Sequence, residues 1–231
     1  FVMITRLVDE LAGLQATWSL VAIVAFVATL LVVQRATDLA RYSWLFFFGG
    51  AFLLLLPLAP GLGVNINGAR IWVSLGPINF QPGEFAKIAL AIFFASYLAD
   101  RRELIAASTW KVGPLHLPEP RYIAPIAMAW GFAIVVMVFQ RDLGSSLLFF
   151  TLFVVMMWVA TERVSYLLIG TVLFGAAAYF SWTRITHVQT RVDIWHDPWA
   201  DPLDRGNQII QSLYGLADGG ITGTWLGRGN P

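Results

Sequence analysis

The sequence predicts an all-α polytopic membrane protein, with six transmembrane helices followed by a long extracellular loop. Three observations predict it. Hydrophobic residues make up 58% of the 231-residue chain and charged residues 13%, against roughly 45–50% and about 25% in soluble domains. Five stretches, 11–34, 42–69, 122–140, 143–161 and 164–183, contain no Asp, Glu, Lys or Arg, and crossing the hydrocarbon takes roughly 20 apolar residues in a helix. Basic residues crowd into the short connections on one side, as expected where loops face the cytoplasm.

Taken in order, the spans fall near 17–34, 42–60, 84–99, 122–139, 144–160 and 165–183. The third is the only one with charges, Glu84 and Lys87 in its first turn. Pro82 and Gly83 suit its entry, and Glu84 stands where the helix dipole favours an anion. Residues 1–183 thus form a membrane helix bundle, and 184–231 an extracellular loop too long to be a simple connection. The connections 35–41, 100–121 and 161–164 hold seven basic residues in thirty-three, whereas 1–16, 61–83, 140–143 and 184–231 hold seven in ninety-one. The denser set belongs in the cytoplasm, so 61–83 and 184–231 face outward. A chain that starts on Phe1 outside the membrane and stops at Gly229-Asn230-Pro231 in mid-loop reads as a fragment lacking helices at both ends.

Several chemistries are excluded. With no Cys there is no thiolate nucleophile and no disulfide framework. A net charge of +1 gives no footprint for nucleic acid. No zinc-spaced His/Glu cluster and no GxSxG elbow occurs. The glycines at 219, 220, 223, 227 and 229 match neither the P-loop nor the dinucleotide fingerprint, and read as a turn.

Polar residues at the edges of the spans are the candidates for function, because ionisable groups there are costly and face a bundle interior or a wet cavity. Asn67-Gly68-Ala69-Arg70 leads through Gly76-Pro77 to Gln81, Glu84 and Lys87. Glu84 and Lys87 share a helix face, either as a self-neutralising ion pair or as the wall of an outward-facing cavity. Gln140-Arg141-Asp142 joins two spans with hardly any loop; Asp142 is an N-cap, a cavity residue, or both. In the outer loop, Asp197-Pro198 and Asp201-Pro202 fix turns. Asp197 and Asp201 are either turn-formers or catalytic carboxylates, and His196 is a surface residue or a proton shuttle.

The strings Asn-Gly-Ala-Arg-Ile-Trp, Phe-Gln-Pro-Gly-Glu-Phe-Ala-Lys, Gln-Arg-Asp-Leu-Gly-Ser-Ser-Leu and Trp-His-Asp-Pro-Trp-Ala-Asp-Pro, in this order, resemble the SEDS family of RodA, FtsW and SpoVE proteins. Gly-Glu-Phe-Ala-Lys and Ala-Thr-Glu-Arg lean toward its RodA-like members from actinobacteria. The resemblance implies a peptidoglycan glycosyltransferase of the bacterial plasma membrane. Such a protein polymerises lipid II at the outer face, for elongation, shape or division, beside a class B penicillin-binding protein. The family's essential aspartate maps onto Asp201, followed by Pro202, Gly206 and Gln211. Its substrate and cavity residues map onto Arg70, Gln81, Glu84, Lys87, Asp142 and Gln211. Arg141 stands where many members have proline. Asp201 would act as base on a sugar hydroxyl, and Arg70, Lys87 and a divalent cation (magnesium or manganese) would meet the departing pyrophosphate. The alternatives are a lipid II flippase and a non-catalytic scaffold for the penicillin-binding protein.

Overall fold

A computed structural model describes residues 2–66, 68–75, 78–107, 110–112, 115–117 and 120–224. Ten α-helices occur among them: α1 (Val2–Leu7), α2 (Ala12–Val32), α3 (Ser43–Leu55), α4 (Pro82–Asp100), α5 (Arg102–Ala107), α6 (Pro120–Phe139), α7 (Leu143–Thr161), α8 (Ser165–Arg184), α9 (Thr186–His196) and α10 (Asn207–Gly219). Among the described residues, six helical segments are long and apolar enough to cross a membrane: Asp9–Val32, Ala36–Leu58, Pro82–Asp100, Arg121–Phe139, Leu143–Thr161 and Ser165–Arg184. They match the six expected spans, except that the first two begin and end earlier than 17–34 and 42–60. Of the sequence features singled out, Asn67, Gly76-Pro77, Gly227 and Gly229 lie outside the described residues.

The chain divides into two compact units, residues 33–173 and residues 1–32 with 174–231. The first is a helix bundle in which α3 packs along α4, and α6 and α7 close the other side. Lipid tails are as apolar as the side chains, so packing rather than water exclusion holds such helices together. Small residues allow close approach: a β-carbon on Gly50 would meet the Leu90 side chain at 3.0 Å, and one on Gly170 would lie 2.6 Å from Val154. An aromatic cluster fills the middle. Phe93 contacts Phe47 at 4.9 Å and Phe94 at 5.6 Å between centroids, and Trp130 stacks on Phe153 at 4.9 Å.

One end of this bundle carries a small antiparallel sheet, β1 (Gly63–Ile66), β2 (Ala69–Leu75) and β3 (Ile78–Phe80) in that order. The segment expected as plain loop between two spans is therefore ordered. Val64 pairs with Trp72 and Ser74 with Asn79. A two-stranded ribbon, β4 (Trp110–Val112) and β5 (Leu115–Leu117), follows α5. At the opposite end of the bundle, Arg102 Nη2 meets Glu162 Oε1 at 2.5 Å, tying the start of α5 to the end of α7.

In the second unit, no residue of α2 is buried, as suits a helix that faces lipid. Residues 184–231, expected as loop, contain α9, a turn of 3-10 helix at Pro198–Ala200 and α10.

Candidate functional site

The bundle's sheet-bearing end gathers most of the sequence candidates. The Arg70 N–H donates to the Gln140 carbonyl at 3.1 Å, which joins β2 to the α6–α7 turn. Gln140 is 3% exposed, and its Nε2 donates to the Leu54 carbonyl on α3 at 2.5 Å. That carbonyl lies at the end of a helix that continues into the 3-10 turn containing Pro57, and proline has no N–H to offer it. Arg70 Nη2 donates to the Ala59 carbonyl at 3.4 Å. Gln81 caps α4 in extended backbone conformation, its carbonyl accepting from the Glu84 N–H at 3.2 Å. One turn on, Lys87 Nζ donates to Glu84 Oε1 at 2.8 Å; the lysine side chain is 15% exposed and the glutamate 57%. The ion pair drawn from their spacing is thus present, with Lys87 as its less exposed partner.

The α6–α7 turn has its own logic. Arg141 adopts φ +60° and its N–H donates to the Val138 carbonyl, while the Asp142 N–H donates to the Met137 carbonyl, each at 3.0 Å. These two bonds form a Schellman closure of α6. Asp142 Oδ1 then accepts from the Ser145 N–H at 3.0 Å, the N-cap of α7.

The other unit carries a cleft of about 470 Å³ whose lining includes Thr190, Asp193, His196, Asp197, Asp201 and Arg205. Thr190, Asp193, Ile194 and Asp197 are spaced along one face of α9 and its C-cap. Asp197 Oδ1 accepts from the Trp199 N–H at 3.1 Å, so this aspartate makes its turn. Asp201 is half-buried, and among the described residues its carboxylate has no hydrogen-bond or ion-pair partner. A carboxylate left free inside a cleft is able to accept a proton or bind a cation. Among the described residues, however, no group of three His, Cys, Asp or Glu is arranged to hold a metal ion. The expected divalent cation has no ready ligand set among the described residues.

Residues 6–231 match the family model described as cell cycle protein, that of FtsW, RodA and SpoVE. The chain belongs to the FtsW/RodA/SpoVE family. It is 41% identical over 221 residues to the peptidoglycan glycosyltransferase RodA of Mycobacterium tuberculosis, covering 95% of this chain and 47% of that protein. It is 33% identical over 181 residues to the stage V sporulation protein E of Bacillus subtilis, covering 77% of this chain and 45% of that protein. The chain spans about half the length of the curated relatives it matches. Among solved structures it resembles a chain of a peptidoglycan synthase complex that coordinates polymerization and crosslinking, with 31% identity and a TM-score of 0.63 over 90% of this chain and 56% of that one.

Within this FtsW/RodA/SpoVE member, Arg70, Gln81, Glu84, Lys87 and Asp142 come together at one end of the bundle. Asp201 belongs to the other unit. Gln211 lies there too, exposed on α10 and outside the lining of the cleft. Asp193, Thr190 and Arg205 line the cleft without having been candidates in the sequence. The spacing 190, 193, 194, 197 finds the first two, since it reads as one face once the segment is taken as helix; Arg205, beyond that helix, leaves no such signal.

Proposed function

We propose that this protein acts as a peptidoglycan glycosyltransferase, polymerising lipid II at the outer face of the plasma membrane with Asp201 as general base. The observation that carries the reading is a half-buried carboxylate without a partner among the described residues, lining a cleft in a chain 41% identical to a peptidoglycan glycosyltransferase. The sidedness follows from charge. Arg35, Arg41, Arg101, Arg102, Arg121 and Arg163 fall in the connections at one side of the spans, which the positive-inside rule assigns to the cytoplasm. α8 starts from that side, so one crossing delivers residues 185–224 outside.

The reaction joins two lipid-linked sugars. The 4-hydroxyl of a GlcNAc attacks the anomeric carbon of a MurNAc on the growing strand; a C–O bond forms, the bond to the pyrophosphate breaks, and undecaprenyl pyrophosphate leaves. An alcohol is a weak nucleophile, and the hydroxyl proton passes to a base within hydrogen-bond reach, Asp201. Negative charge grows on the leaving pyrophosphate and calls for cationic donors. Arg205 stands in the same cleft, while Arg70 and Lys87 already have partners in Ala59 and Glu84. A class B penicillin-binding protein is the partner that crosslinks the strands, a reading supported by the likeness to a peptidoglycan synthase complex.

The test is polymerisation of labelled lipid II by the full-length protein, purified away from other synthases and reconstituted with its penicillin-binding partner. Asp201→Asn, which keeps shape and removes the base, is expected to cut glycan strand synthesis by about 1,000-fold while the protein stays folded in detergent. Strands of normal length and yield from that variant would refute the reading.

A further inference from the structure

Gly206 is buried in an otherwise exposed stretch, and what covers it is main chain. A β-carbon placed on it would lie 2.0 Å from the Pro198 carbonyl oxygen and 2.8 Å from the Asp201 carbonyl oxygen. Its φ is −80°, a value open to any residue, so space rather than handedness demands glycine. Backbone cannot swing aside as a side chain can.

The same residue bonds in two directions. Its N–H donates to the Asp201 carbonyl at 2.8 Å, and its own carbonyl accepts from the Ile209 and Ile210 N–H groups, each at 3.1 Å, which open α10. Asp201 and α10 are therefore coupled through one residue. The 3-10 turn is held on both flanks, by Asp197 Oδ1 on the Trp199 N–H and by the Trp199 ring edge-on to Tyr214 of α10 at 6.0 Å.

We propose that Gly206 is a positioning residue for Asp201: it lets α10 close against the turn 198–201 and so fixes where the carboxylate stands in the cleft. The inference rests on Asp201 being the base. A displacement of about 1 Å in a reacting group costs on the order of 100-fold in rate, so a methyl group at 206 is enough to be read.

The experiment compares four variants of the full-length protein in the lipid II assay, with turnover and KM measured separately and helix content followed by circular dichroism. Gly206→Ala is expected to lose about 100-fold in turnover with KM for lipid II and helix content unchanged. Gly215→Ala makes the same change on α10, where a β-carbon would meet nothing within 4 Å, and is expected to keep full activity. The double variant Gly206→Ala/Asp201→Asn, read over long incubations, is expected to be no slower than Asp201→Asn alone, because two residues acting through one carboxylate are not additive. Wild-type turnover in Gly206→Ala, or a further multiplicative loss in the double variant, overturns the inference while leaving the base in place. Wild-type turnover in Asp201→Asn removes the base reading and the inference with it. If Gly206→Ala does not fold, Tyr214→Ala takes its place: about 3–10-fold lower turnover at constant KM is expected from losing one aromatic contact of about 1 kcal/mol, and unchanged turnover overturns the proposal.

Discussion

Gln140 and Asp142, at the sheet-bearing end of the bundle, give their polar atoms to the backbone, Gln140 to the Leu54 carbonyl and Asp142 to the Ser145 N–H. Around the cleft of the second unit, Asp197 does the same for Trp199, whereas the half-buried Asp201 carboxylate has no such partner among the described residues. The difference separates two uses of polar groups in a membrane protein. A polar group buried among helices is costly when unmet, and the fully buried Gln140 amide is met where it stands. A group beside water can be left free, and only a free carboxylate is ready to take a proton from a substrate.

That contrast can be broken from either side. The largest effect belongs to Asp201→Asn, expected to cut polymerisation by about 1,000-fold with no change in thermal midpoint; a matching fall in stability would make Asp201 another structural carboxylate. Next comes Gln140→Leu, which leaves the Leu54 carbonyl unmet and should cost about 1–3 kcal/mol in unfolding measured in detergent. An unchanged midpoint would mean that the bond at this end is dispensable. Asp142→Ala removes an N-cap, worth about 1 kcal/mol, and its stability loss should be partly recovered by Asp142→Asn. Smallest is Glu84→Gln. With the glutamate 57% exposed, its pair with Lys87 is worth about 0–1 kcal/mol, so the protein should insert and fold while activity falls several-fold through the altered Lys87. Loss of folding instead would assign that pair to structure alone.

How far the sequence could be read follows from what kind of signal each part leaves. The six spans were legible because twenty uncharged residues have few other fates, and their ends were less so: α2 starts at Ala12, where a threonine and a glutamine blur the edge. The helices α9 and α10 were missed because Trp195, His196 and two Asp-Pro pairs read as a turn-rich loop. Yet Ile209, Ile210 and Leu213 recur at helical spacing, and buried Ile210 marks the inner face. The strands at 63–80 are three to seven residues long, too short for alternation to stand out. As for the site, the types and spacings of Glu84, Lys87 and Asp142 announced their local bonds. The grouping of Asp193 and Arg205 with Asp201 depends on how α9 folds back through the 3-10 turn, and no local pattern encodes that.

Arg141 sits in left-handed conformation between a helix whose closure accepts on the Met137 and Val138 carbonyls and one capped by Asp142. Asp142 therefore has two duties, the last amide of one closure and the first acceptor of the next. A proline in place of Arg141 could neither reach that φ nor supply the N–H. In this chain the closure of α6 and the opening of α7 meet on a single residue, so a substitution at Asp142 reaches both helix ends at once.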